Sequence, residues 1–258
     1  MHNTTDTILK LATASLLMIS AANAEYKADA DPITAGPQPG SVYTPVALGG
    51  TTMSEGWEKL TSSLYPGNGG FPGTASWVGA LGSQVGPDFG SNGIGKVSNG
   101  FAGGPYPASA SIYFGGVLNI ANTNGGTLEV DASGAGLLSG VQTVVFHLDI
   151  GEAWTYDLYN RVAPVATVTA NGVDYTVTAS YSSRYAKVYN GQVWMDNKWE
   201  DLYINSRAYQ YDLSFISDPI DSVVISFTGV QHAQVHGAGL QQSDTSYTGT
   251  NLLPTHVP

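Results

Sequence analysis

The sequence predicts an all-β protein, an antiparallel two-sheet sandwich of jelly-roll type with long Gly- and Pro-rich loops in its N-terminal half. From residue 108 onward, short runs alternate between apolar and polar residues, as half-buried strands do. Gly, Asn, Asp and Pro separate these runs at even intervals with no helical pattern between them, which favours antiparallel sheets. β-branched runs also flank Asn171-Gly172, and Asn-Gly is the strongest short-range signal for a hairpin.

The N-terminus has the pattern of a secretory signal peptide. Lys10 precedes an apolar run at 11–22, and Ala22-Asn23-Ala24 matches the small-residue cleavage site. We therefore expect residues 1–24 to be removed and the mature chain to be secreted or exposed on a bacterial cell surface. After them we expect an extended lead-in at 25–40, a single sandwich domain at 41–244 and a flexible tail at 245–258.

The composition excludes several classes of function. Lys and Arg number 9 against 20 Asp and Glu, giving a net charge of −11. A nucleic acid partner needs clustered cations, which this sequence lacks. The absence of cysteine excludes thiolate zinc sites and cysteine nucleophiles. An exported chain without disulfides must be held together by its core and sheet ladders, with Ca²⁺ as a candidate structural ion.

In the N-terminal half the elements are short. Residues 42–48 are predicted to form an edge strand, since Pro45 lacks an N–H to donate. Residues 55–64 are predicted to form a helical turn, because Trp57, Leu60 and Leu64 would share one face. Gly and Pro dominate 65–107, which predicts loops around short strands near 75–81 and 93–98.

In the C-terminal half the strands are longer. The most apolar run is VQTVVFHLDI at 141–150, a predicted core strand with Val144, Phe146, Leu148 and Ile150 on one face and Val145, His147 and Asp149 on the other. Asn124-Gly125-Gly126 and Asn190-Gly191 are predicted to close hairpins, in addition to the one at 171–172. Further strands are predicted at 198–204, 208–215, 222–228 and 230–240.

Four segments resemble a group of secreted bacterial β-sandwich proteins, common in planctomycetes and verrucomicrobia, many of which carry a C-terminal PEP-CTERM sorting signal. The segments are LYPGNGGFPG at 64–73, SIYFGG at 111–116, YQYDLS at 209–214 and FTGVQHAQVHGAGLQQSD at 227–244. The resemblance implies a secreted sandwich but no particular chemistry, since the function of the group is largely unknown. The apolar span and basic cluster of the sorting signal do not occur before Pro258, so either the protein is released or the sequence is truncated.

The strongest candidate site is aromatic. Nine Tyr and Trp residues lie between 175 and 211, and Trp194 and Trp199 flank Asp196 and Asn197 on a predicted loop. Exposed aromatic rings stack on the apolar faces of sugars, while Asp and Asn bind hydroxyl groups. These four residues are therefore the predicted carbohydrate site. The alternative is that the rings fill the core, because Trp and Tyr are common in buried strands.

Catalytic and metal sites are weaker candidates. His232 and His236 would lie about 13 Å apart on a strand, too far to share one ion. His147 and Asp149 lack the G-x-S-x-G serine of a hydrolase triad. The acidic clusters are Asp149/Glu152, Asp196/Glu200/Asp201 and Asp218/Asp221, and each falls at a strand end or turn.

Three functions remain open. The leading hypothesis is a non-catalytic cell-surface or matrix protein that binds extracellular polysaccharide. The second is a secreted polysaccharide-active hydrolase that uses acids between residues 149 and 201, since glycoside hydrolysis needs two carboxyl groups. The third is a structural matrix component that associates with itself.

Overall fold

The computed structural model describes residues 45–70, 73–84, 93–117, 120–195 and 197–257, and in them two antiparallel β-sheets. The first sheet contains β1 (Thr52–Trp57), β3 (Tyr106–Pro107), β4 (Ile112–Tyr113), β6 (Thr143–Gly151), β9 (Tyr181–Met195), β10 (Lys198–Asp212) and β12 (Gln234–Ser243). The second contains β2 (Gly93–Asn99), β5 (Asn124–Ser133), β7 (Val165–Ala170), β8 (Val173–Thr178) and β11 (Ile220–Val230). Two 3₁₀ turns, Gly134–Gly136 and Tyr159–Arg161, complete the described elements.

The strand order confirms the antiparallel two-sheet sandwich. It is β3-β4-β12-β6-β10-β9 in the first sheet, where β1 also pairs with β12, and β2-β5-β11-β7-β8 in the second. From β4 onward every connection crosses between the sheets except the hairpins β7–β8 and β9–β10. The narrower jelly-roll topology stays a prediction.

The core lies between the sheets and is centred on β6. As predicted, Val144, Phe146, Leu148 and Ile150 all point into it. The Phe146 ring lies 5.7 Å from that of Phe227 on β11, so the two sheets meet directly. On the opposite face of β6, Val145 packs in a smaller cluster with Val46, Ala208 and Leu253.

The Asn-Gly pairs do not all form turns. Asn171-Gly172 closes the β7–β8 hairpin with φ of 49° and 74°, and the prediction there is confirmed. The prediction at Asn190-Gly191 is wrong, because β9 runs through it without a break. These two residues instead face only Leu202 on β10, where the register steps from Gln192↔Asp201 to Tyr189↔Tyr203. They form a β-bulge, with Gly191 at φ 86°.

Predictions in the N-terminal half need further correction. The helical turn predicted at 55–64 is wrong, since residues up to Trp57 belong to β1 and pair with β12. Asn124-Gly125-Gly126 begins β5 rather than closing a hairpin, and a side chain on Gly125 would clash with the backbone of Val230. The strand predicted near 75–81 is not formed, and the only β pairing in that described range is an isolated bridge between Leu81 and Ile94. The strand predicted at 93–98 is β2.

The segment at 245–257 lies against the first sheet, where the sequence suggests a loose tail. Leu253 packs against the outer cluster around Val145. Farther on, the Val257 N–H donates to the Arg184 carbonyl at 2.7 Å, and the Arg184 N–H donates to His256 Nδ1 at 3.1 Å. These bonds occupy the outer edge of β9 at its beginning.

Candidate functional site

The β9–β10 hairpin extends beyond the body of the first sheet. β10 pairs with β6 only from Ile204 to Asp212. It pairs with β9 over a longer stretch, which begins at Lys198 beside the turn and ends at Gln210. The described part of the chain therefore holds a two-stranded ribbon, residues 189–195 and 198–203, with no third strand beside it. One face of this ribbon continues the face of β10 that carries Tyr209 into the core.

The two tryptophans of the predicted carbohydrate site are in contact at the tip of the ribbon. Trp194 and Trp199 are direct cross-strand partners, with ring centroids 5.5 Å apart and ring planes at 71°. Their exposed fractions are 47% and 39%, so they do not fill the core. The rings form a corner rather than a coplanar platform. Met195 and Lys198 are register partners at the positions of the predicted loop, Asn197 has φ 62°, and Asp196 lies outside the described residues.

Two more cross-strand pairs follow on the same face. Gln192 Nε2 donates to Asp201 Oδ1 at 2.6 Å, and the rings of Tyr189 and Tyr203 meet edge to face at 5.7 Å. Tyr189 and Gln192 are three positions apart in the sequence, an odd offset that on a regular strand would place them on opposite faces. The bulge supplies the extra residue that returns both to one face. We call these six residues the ribbon face: Trp194, Trp199, Gln192, Asp201, Tyr189 and Tyr203.

A buried ionic network lies at the base of the ribbon face. Asn205 Nδ2 donates to Glu152 Oε2 at 3.1 Å and to Asp157 Oδ2 at 2.9 Å. Arg207 Nε donates to the same Asp157 oxygen at 2.6 Å, and Lys187 Nζ lies 3.2 Å from Glu152 Oε1. Each buried carboxylate thus has its own cation. We call these five residues the base network.

Lys187 joins the base network to the ribbon face. Its ammonium lies 4.3 Å from the centre of the Tyr203 ring, within the range of a cation–π contact. Desolvation, followed by the charges of Asp201 and Glu152, raises the pKa of Tyr203, which keeps its hydroxyl neutral. Burial is the largest single effect on the pKa of Arg207 and lowers it, but the charges and hydrogen bonds of Asp157 and Tyr209 together outweigh burial, so the net shift is upward.

The first of the acidic clusters identified in the sequence is separated in the structure. Asp149 and Glu152 lie on opposite faces of the first sheet, because Glu152 joins the base network while Asp149 faces Ser206. Glu200 pairs with Lys198 at 2.6 Å on the ribbon. Asp221 accepts from the Gly172 N–H at 3.3 Å, far along the other sheet. Among the described residues, no group of three acidic or histidine side chains is placed to hold a metal ion.

The histidines also separate. His232 lies before β12, in the connection from β11, at φ 69°, so the prediction of one strand over 230–240 is wrong there. Its Nδ1 lies 2.9 Å from the Tyr113 hydroxyl. His236 occupies a bulge in β12, and His147 Nε2 lies 3.0 Å from Gln241 Oε1 on the outer face of the first sheet. None of the three belongs to the ribbon face.

Comparison of the chain with protein families, with curated proteins and with solved structures finds no match. Among the described residues, no helix is long and apolar enough to cross a membrane. The resemblance to the PEP-CTERM-associated group stays a prediction.

Proposed function

We propose that this protein is a non-catalytic extracellular or cell-surface β-sandwich protein that binds carbohydrate through the ribbon face. The observation that carries the proposal is the exposed Trp194–Trp199 pair beside the hydrogen-bonded Gln192–Asp201 pair. Aromatic rings take the apolar C–H faces of sugars, and a carboxylate and an amide beside them take hydroxyl groups. An exported, acidic chain fits a ligand outside the cell.

The geometry favours binding by a rigid surface. Both strands of the ribbon continue into the body of the sheet, so the aromatic rings are held in register by backbone hydrogen bonds. Sites on regular elements hold their side chains more precisely than sites on loops. Because little has to be ordered on binding, the entropic cost of forming the complex is reduced.

A polysaccharide-active hydrolase is the second candidate, and the base network favours it. Since Glu152 Oε2 and Asp157 Oδ2 both accept from Asn205 Nδ2, these oxygens lie at most about 6 Å apart. Retaining glycosidases separate their carboxyl groups by about 5–5.5 Å. Against catalysis, Glu152 is 5% exposed and Asp157 3%, and each is paired with a cation. Binding is the function that the exposed side chains support.

The double variant Trp194→Ala/Trp199→Ala is expected to abolish carbohydrate binding. Both rings stand on the exposed tip of the ribbon, so their removal should leave the core intact and the melting temperature nearly unchanged. The measurement is binding to a glycan array, repeated by titration calorimetry with the best ligand. The matched control is Phe101→Ala, which removes an aromatic side chain that is 64% exposed outside the ribbon.

The outcomes separate the candidates. Saturable binding that survives in the Phe101 variant and is lost in the tryptophan variant supports the proposal. Binding that is unaffected by the tryptophan variant overturns the site, and no binding to any glycan overturns the function. Release of reducing ends from a bound polysaccharide, lost in Glu152→Gln, would instead establish the hydrolase.

A further inference from the structure

We infer that the ligand is a neutral polysaccharide that lies lengthwise along the ribbon, with the Gln192–Asp201 pair binding its hydroxyl groups between two aromatic pairs. This inference rests on the proposed function and specifies its ligand class. The ribbon face is a sequence of three cross-strand pairs, aromatic at both ends and polar in the middle. A chain of sugar rings presents the same succession of apolar faces and hydroxyl groups.

The spacing of the pairs calls for more than one sugar ring. Trp199 and Tyr203 are four residues apart on β10, about 13 Å at the antiparallel rise. A single ring stacked on the tryptophans cannot reach the tyrosines. An extended oligosaccharide can contact both aromatic pairs at once, so affinity should increase with chain length until both are covered.

The middle pair is suited to hydroxyl groups. Asp201 is exposed and its carboxylate offers about four acceptor positions. The Gln192 amide uses one of them, and Tyr203 makes a further side-chain hydrogen bond to Asp201. The remaining positions face solvent and can accept from sugar hydroxyls, while Gln192 holds the carboxylate in a fixed orientation.

The charges around the ribbon argue against an acidic ligand. The cations of the ribbon and the base network are Lys187, Lys198 and Arg207, and they pair with the carboxylates of Glu152, Glu200 and Asp157 respectively. Asp201 then leaves the face with a net negative charge, and the whole chain carries −11. Uronate or sulfated polysaccharides would be repelled by this field, so the neutral class is selected.

The test uses affinity electrophoresis in gels that contain hydroxyethyl cellulose, xylan, galactomannan, polygalacturonate or alginate. Retardation by a neutral polymer and not by the two acidic ones is expected. For the retarding polymer, calorimetry with its oligosaccharides of increasing length should show affinity that rises about tenfold or more between the shortest and the longest. Asp201→Asn and Tyr189→Ala should each weaken binding of the longest oligosaccharide about tenfold. Asp221→Asn, which makes the same charge change on the other sheet, should leave binding unchanged.

The results also distinguish this inference from the function on which it rests. Binding that is lost in the tryptophan variant but does not depend on length or on Asp201 would overturn the inference and leave carbohydrate binding standing. Retardation by polygalacturonate or alginate would likewise overturn the neutral ligand class and leave carbohydrate binding standing. If no polymer is retarded and the glycan array is also empty, both fail together.

Discussion

Replacing Asp157 with Ala is expected to lower the free energy of unfolding by about 3–5 kcal/mol, since a buried charge loses its partner. The Asp157 carboxylate is almost fully buried and accepts from Arg207, Asn205 and the Leu158 N–H. Without this carboxylate, the guanidinium of Arg207 and the amide of Asn205 would still be removed from water, but they would lose the hydrogen bonds to Asp157 that offset the cost of desolvation. The measurement is equilibrium unfolding in urea at neutral pH, compared with the native sequence.

Two further variants make this result specific. Asp221→Ala removes an exposed acid and should change stability by less than about 0.5 kcal/mol. Asp157→Asn retains an acceptor for the Leu158 N–H and should cost less than the alanine variant. An Asp157→Ala protein that is as stable as the native one would contradict the structural role of the base network. Because the base network lies below the ribbon face, its loss should also weaken carbohydrate binding.

Acidification from pH 7 to 4.5 is expected to destabilise the protein by about 3 kcal/mol through three buried groups. Burial lowers the pKa of His147 and of His236 to about 4, and it raises the pKa of Asp149 to about 6. Between pH 6.5 and 4 the unfolded chain takes up protons on both histidines that the folded chain does not, so stability is lost. Below pH 6 the folded chain binds the proton of Asp149 more tightly, which offsets part of that loss.

The double variant His147→Gln/His236→Gln should reverse this response. In this variant Asp149 is the only one of the three buried groups that remains. The free energy of unfolding should therefore rise by about 2 kcal/mol as the pH falls from 7 to 4.5. Glutamine can preserve a hydrogen bond to Gln241, which His147 makes in the native protein. Urea unfolding at several pH values measures both curves. Equal acid sensitivity in the two proteins would show that other groups control it.

The predictions that succeeded depend on local pattern. In VQTVVFHLDI the alternation is regular, so period two alone separates the core face from the outer face of β6. The hairpin at Asn171-Gly172 succeeded because both dihedral angles of its turn are set by those two residues. Such features need no knowledge of the rest of the fold.

The same dipeptide failed at Asn190-Gly191, because there the flanking strands continue past it and tertiary pairing with β10 decides its conformation. That error concealed most of the candidate site, since the bulge sets which residues share the ribbon face. Alternation along β10 nevertheless places Trp199, Asp201, Tyr203 and Asn205 on one face, a signal that the sequence contains. The contacts of Asn205 with Glu152 and Asp157 join distant parts of the chain, so no local pattern predicts them.

The segment that covers the beginning of β9 has a consequence for aggregation. β9 is the last strand of its sheet, and an uncovered last strand is a template on which another molecule can add its own strand. At the beginning of this edge, the backbone of Arg184 is hydrogen-bonded to residues 256 and 257. Farther along the outer edge of β9, the charged Lys187 and the bulge at 190–191 interrupt the strand. Charged side chains and bulges are the usual protection against such addition. β9 can therefore extend into a long, open hairpin without joining molecules into a continuous sheet.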